Sequence, residues 1–132
     1  MNPYLRFFLA VLAGIFAGGA IVALIEAIGH FFFPPPETIN IVNACEYIPE
    51  APLMVFVFLL LAWAGGALVA GVFAKLTYRA NNKPAFVAGA ILLIFVLINL
   101  FSIPCHPLWV EILGALLPVP MAMLGSRFLA TV

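Results

Sequence analysis

The chain has 132 residues, 67% of them hydrophobic and 8% charged, with five basic and five acidic side chains and no net charge. Soluble domains are about half apolar and a quarter charged, so this composition excludes a fold surrounded by water. No basic patch or acidic tail is present, and no nucleic-acid partner is expected. A transmembrane β-barrel needs alternating apolar and polar residues, whereas the apolar runs here are continuous and rich in Ala, Leu, Gly and Phe.

At about 20 residues per crossing of a hydrocarbon core about 30 Å thick, the chain has room for four helical spans and little else. The expected fold is all-α, an integral membrane four-helix bundle in which 1–132 is one transmembrane domain. Its spans are predicted at about 6–33, 52–76, 84–103 and 107–129, with an outer loop at 34–51.

The first apolar stretch, Phe7 to Phe33, follows Arg6 and overshoots the h-region of a cleavable signal peptide, so it reads as a retained span. It contains Ala10, Gly14 and Gly18 at spacing four, then Glu26 and His30, and ends at Pro34-Pro35-Pro36, which cannot continue a helix. Glu26 and His30 share one helix face, with Gly19 and Ala23 beneath them, and that face is expected to point into protein. The loop that follows is the only long connection; it holds Glu37, Cys45, Glu46 and Glu50 before Pro52 opens the second span.

The second span repeats the small-residue spacing at Ala62, Gly66, Ala70 and Ala74. Lipid gives helices no hydrophobic reason to associate, so close backbone approach through small residues has to supply the contact, within one protomer or between protomers. Asn81-Asn82-Lys83-Pro84 marks the next turn, and the third span, Ala85 to Ile103, contains Asn99. Pro104-Cys105-His106-Pro107 precedes the fourth, Leu108 to Leu129, which carries Glu111, Arg127, Pro118 and Pro120. Those prolines free the carbonyls of Gly114 and Leu116, as in a plain kink or a broken helix lining an ion path. Gly19-Ala20-Ile21 echoes Gly89-Ala90-Ile91, and Gly66-Ala67-Leu68 echoes Gly114-Ala115-Leu116, a faint two-hairpin repeat.

All five cations, Arg6, Lys75, Arg79, Lys83 and Arg127, fall on one side of a four-span path, and all five glutamates lie toward the other. The positive-inside rule makes the first side cytoplasmic, with both termini there, in a bacterial inner membrane. Tyr4, Tyr78 and Trp109 fall near the interfaces, and Trp63 deeper, as a packing residue.

Ionisable residues inside a span are costly and mark function by default. Glu26, His30, Asn99, His106 and Glu111 share the outer half, and form the candidate site for a proton or a small ligand; helix-to-helix hydrogen bonding accounts for them equally well. Cys45 and Cys105 both face the oxidising side and are disulfide candidates that would pin the loop over this cluster. His30 and His106 with the two cysteines have ligand types suited to zinc but not the local C-x-x-C spacing, and no metal or cofactor is expected. Two histidines for haem are a poorer fit, because His106 sits between prolines. The missing C-x-x-C pair also argues against a quinone-linked thiol oxidoreductase, and no phosphate loop, nucleophile elbow or triad is present.

The segment Ile25-Glu26-Ala27-Ile28-Gly29-His30 with Pro34-Pro35-Pro36, Asn99 and Pro104-Cys105-His106-Pro107-Leu108-Trp109 resembles a group of small bacterial four-helix membrane proteins of unassigned function. The likeness covers nearly the whole chain, implies the same four-span fold and supplies no activity. The expected role is an accessory or scaffold subunit of a membrane assembly with a polar outer-leaflet pocket, its partners being lipid and other transmembrane helices. The alternatives are a homo-oligomeric transporter or channel using Glu26 and His30, and a membrane-embedded metal or redox protein. For the threading, a cysteine introduced at Asn81 should resist a membrane-impermeant maleimide on intact cells and react once the membrane is permeabilised; labelling of intact cells would invert the topology.

Overall fold

The computed structural model describes residues 1–129. Among them are five α-helices and no strand: α1 (Pro3–Phe32), α2 (Leu53–Thr77), α3 (Lys83–Ser102), α4 (Leu108–Leu116) and α5 (Pro118–Phe128). The last two form one bent span. Leu117 between them keeps helical dihedrals (φ −73°, ψ −41°), and its N–H donates to the Leu113 carbonyl at 2.9 Å. Pro118 and Pro120 merely withhold the donors that Gly114 and Leu116 would otherwise accept. The chain thus has four helices, of 30, 25, 20 and 21 residues, long and apolar enough to cross a membrane, the mark of a multi-pass membrane protein.

α1 starts three residues before the expected position. Pro3 occupies its first turn, where no N–H is needed, and the Tyr4 N–H donates to Asn2 Oδ1 at 2.8 Å. The connection to α2 contains two short 3-10 turns, Ala44–Glu46 and Ile48–Glu50.

α1 and α2 run antiparallel with their backbones nearly touching. A methyl built on Gly18 would lie 2.6 Å from the Gly66 carbonyl oxygen, and one on Gly14 would lie 2.7 Å from that of Ala70. No side chain fits at either position. Ala62, Ala70 and Ala74 are wholly buried along α2. A second seam, absent from the sequence reading, joins α2 to α5: Gly71 meets the Ala122 backbone and Gly125 meets that of Leu68. Gly89 of α3 packs on Ala122 from the other side, and buried Ser126 donates to the Met123 carbonyl at 2.7 Å.

This topology gathers Arg6, Lys75, Arg79, Lys83 and Arg127 at one end of the bundle. Two of them satisfy carbonyls at or just beyond the end of α2: Arg6 Nε donates to Thr77 O and Lys75 Nζ to Arg79 O, each at 3.0 Å. Toward the opposite, acidic end the core changes character, from alanine and glycine to Phe56, Trp63, Val96, Leu100 and Val110. The outer surfaces carry Phe8, Phe16, Leu24, Phe31, Ile94 and Phe101, all exposed, as suits helices surrounded by hydrocarbon.

The face of α1 bearing Gly19, Ala23, Glu26 and His30 does not point squarely into protein. Gly19, Ala23 and His30 are exposed and Glu26 is half-buried. The buried stripe of α1 runs through Ala10, Gly14, Gly18 and Gly29. At 3.6 residues per turn the expected face lies about 130° away from it.

Gly18→Val should therefore destabilise the bundle by about 1–3 kcal/mol, the usual range for overpacking. Gly19→Ala, where nothing lies within 4 Å, should leave the melting temperature in mild detergent unchanged or slightly raised, since alanine favours the helix. Equal effects of the two substitutions would refute the close contact.

Candidate functional site

The site lies at the acidic end, between the flanks of α1 and α3. α3 stops at Ile103, whose N–H closes on the Asn99 carbonyl at 3.0 Å, and the prolines at 104 and 107 confine the following turn. In that turn His106 Nδ1 lies 2.8 Å from the Ile103 carbonyl oxygen. A carbonyl only accepts, so Nδ1 donates, and Nε2 of the neutral ring keeps its lone pair. The half-buried imidazole is thereby held beside the bundle core.

The same turn carries Cys105, bridged to Cys45 of the loop between α1 and α2 with a Cα–Cα separation of 5.5 Å. The loop also ties itself together. The backbone N–H of Asn40 donates to Asn43 Oδ1 at 2.6 Å, that of Val42 to Asn40 Oδ1 at 2.8 Å, and Asn43 Nδ2 donates to the Thr38 carbonyl at 2.8 Å. Tethered in this way, Ala44, Tyr47 and Ile48 roof a cavity of about 270 Å³.

Four of the five expected polar residues line that cavity: Glu26, His30, Asn99 and His106. Glu111 does not; it lies half-buried on α4 and lines neither this cavity nor the next. Aromatic rings form much of the remaining wall, with Phe33 and Phe58 at a centroid separation of 6.1 Å and Phe56 braced by Trp109 at 6.0 Å. Sequence reading missed Phe33, Tyr47, Phe56 and Phe58; their one signal was an aromatic cluster flanking the prolines at both ends of the loop.

A second cavity, of about 280 Å³, continues toward the bundle centre, lined by Gly19, Ala23, Trp63, Leu92 and Pro118 among others. Glu26 and Asn99 line both, so they stand at the junction. The side chains of Glu26, His30 and Asn99 make no hydrogen bond among the described residues. Polar groups at this depth ordinarily find partners, and these offer their capacity to the cavity instead. No group of three His, Cys, Asp or Glu side chains among the described residues is placed to hold a metal ion. The bridge occupies both cysteines, which removes the thiolates from the zinc set considered above.

The chemistry is that of an acceptor-rich pocket with no Lys or Arg in its wall. A carboxyl group, two imidazoles and an amide surround a space walled in large part by aromatics. Such a set holds a small group that donates hydrogen bonds, above all a cation, which the ring faces also attract. No protein-family model, curated protein or solved structure matches the chain.

The bridge closes a loop across 60 residues of separation. For a free chain that would be worth about 4 kcal/mol, and substantially less where spans threaded through a bilayer already restrict the ends. Reduction, or Cys45→Ser, should therefore leave the four spans folded while amide hydrogen exchange quickens in residues 38–50. Unchanged exchange there would show that the roof does not depend on the bridge.

Proposed function

We propose that this chain is a small multi-pass protein of the bacterial inner membrane, with cytoplasmic termini, that binds a small hydrogen-bond-donating molecule in the pocket at its outer face. The observation that carries this reading is the convergence of Glu26, His30, Asn99 and His106, from two helices and a turn, on one roofed cavity. Orientation follows from the charges: the basic end faces the cytoplasm and the pocket opens on the opposite side. Both cavities lie in the acidic half of the bundle, so the geometry favours capture from outside over a path through the protein.

An accessory subunit in a larger assembly is the second reading. The small-residue stripes are occupied internally, since Gly14, Gly18, Ala62, Gly66 and Ala70 are all buried within this single chain. What favours it now is the exposed face of α1 at Ala20 and Ala27, which offers a neighbouring helix a close approach. The homo-oligomeric transporter would use the same Glu26 and His30 groups, with several copies completing the path.

The test is thermal stability in mild detergent against a short alkylammonium ion, with the isosteric uncharged alcohol as comparison. Ligand at about one hundred times its dissociation constant should stabilise the fold by roughly 2.7 kcal/mol, read as a rise in melting temperature. Glu26→Gln and Asn99→Leu should each shrink that rise. If neither compound shifts the transition at any concentration, the pocket reading fails; unrelated subunits in the solubilised particle would favour the accessory one.

A further inference from the structure

The second cavity differs in kind from the first. Gly19, Trp63, Leu92 and Pro118 each lie within about two residues of the middle of their own span, so the bottom of this cavity sits near the centre of the membrane. Glu26 and Asn99 lie about 10–13 Å further toward the acidic end at 1.5 Å per residue, close to where a hydrocarbon half-thickness of about 15 Å gives way to headgroups. Between these levels the cavity is open on one side. Its floor is Trp63 at 6% and Leu92 at 9% exposure, but Gly19 and Ala23 are exposed on one rim and Phe95 is 54% exposed on the other. At this depth the opening faces hydrocarbon.

Two cavities thus meet at Glu26 and Asn99, an apolar one open to the lipid tails and a polar one at the level of the headgroups. We propose that together they form a single binding site for a single-chain amphiphile with a cationic amine head, entering sideways from the outer leaflet, its tail along Gly19, Ala23 and Trp63 and its head against Glu26. This rests on the pocket reading given above. The sign of the head follows from charge complementarity. The polar wall offers the Glu26 carboxyl group, the His30 imidazole, the His106 Nε2 and the Asn99 amide, while every Lys and Arg lies at the basic end of the bundle. An anionic head would meet the Glu26 carboxyl group with no Lys or Arg in the cavity wall to pair with. Phe33, Phe56 and Phe58 add ring faces that favour an ammonium group. The lack of any Cβ at Gly19, with nothing within 4 Å, keeps the tail path open.

Trp63 on the cavity floor reports occupancy. In the Trp109→Phe background, reconstituted into zwitterionic nanodiscs, it is the sole tryptophan. A primary alkylammonium brominated in mid-chain should quench it saturably, at concentrations about tenfold or more below those needed by the matched alkyl sulfate. Glu26→Gln should remove that preference. Gly19→Leu, which fills open space, should abolish the saturable quenching while leaving binding of the short alkylammonium intact. Quenching that rises linearly with amphiphile and is equal for both heads overturns the proposal. If the short ion binds but the amphiphile binds no better, the tail site fails alone; if the short ion also fails to bind, the pocket reading falls with it.

Discussion

The contact between α1 and α2 along Gly14, Gly18, Gly66 and Ala70 sets the geometry of everything else. In a bilayer, apolar side chains gain nothing by leaving hydrocarbon for other hydrocarbon, so helices hold together through packing that lipid cannot match. Here that packing is backbone against backbone. The α2 helix holds α5 equally close, Gly71 against the Ala122 backbone and the Leu68 backbone against Gly125, and Ala122 of α5 then receives Gly89 of α3. All four spans are thereby drawn together around α2 in the basic half of the molecule.

The acidic half is built from larger residues. Along α2 the inward positions pass from Ala74, Ala70 and Gly66 to Trp63, Phe58 and Phe56, and the neighbouring helices must follow that change in bulk. Where Gly29 meets Phe58, a ring stands between backbones that touch further down. The cleft is a consequence of that gradient. The helices are tight at one end and wedged at the other, and the space left between α1 and α3 is where Glu26 and Asn99 face each other's cavity. The disulfide and the asparagine knot then close the top of a space that the packing has already opened.

Much of this was legible in the sequence, and the limits have physical causes. Four long apolar runs separated by proline and asparagine turns identify the spans, because hydrocarbon tolerates few alternatives to a helix. α1 starts three residues before the expected span because Asn2 caps it and Pro3 fits its first turn. The α1–α2 glycines announce themselves by spacing of four, whereas Gly71, Ala122 and Gly125 belong to a seam between α2 and α5, whose register no spacing within one helix reveals. Depth along each span was readable, and Glu26, His30, Asn99 and His106, expected at one level, line one cavity. Rotation about the helix axis was not: it carries Glu111 away from the cleft and turns Gly19 and Ala23 outward. The second cavity needed that rotation as well as the bend at Pro118, so only the structure could show it.

The bridge between Cys45 and Cys105 encloses two complete crossings, α2 and α3. The thiols are brought to the same end of the bundle only after the polypeptide has run its length and come back. On the threading proposed above, oxidation would follow insertion of α3 and would record that three helices alternate in direction. A nascent chain that failed to thread α3 would strand its second thiol on the wrong side of the bilayer, leaving a free cysteine that quality control or a trapping reagent could detect.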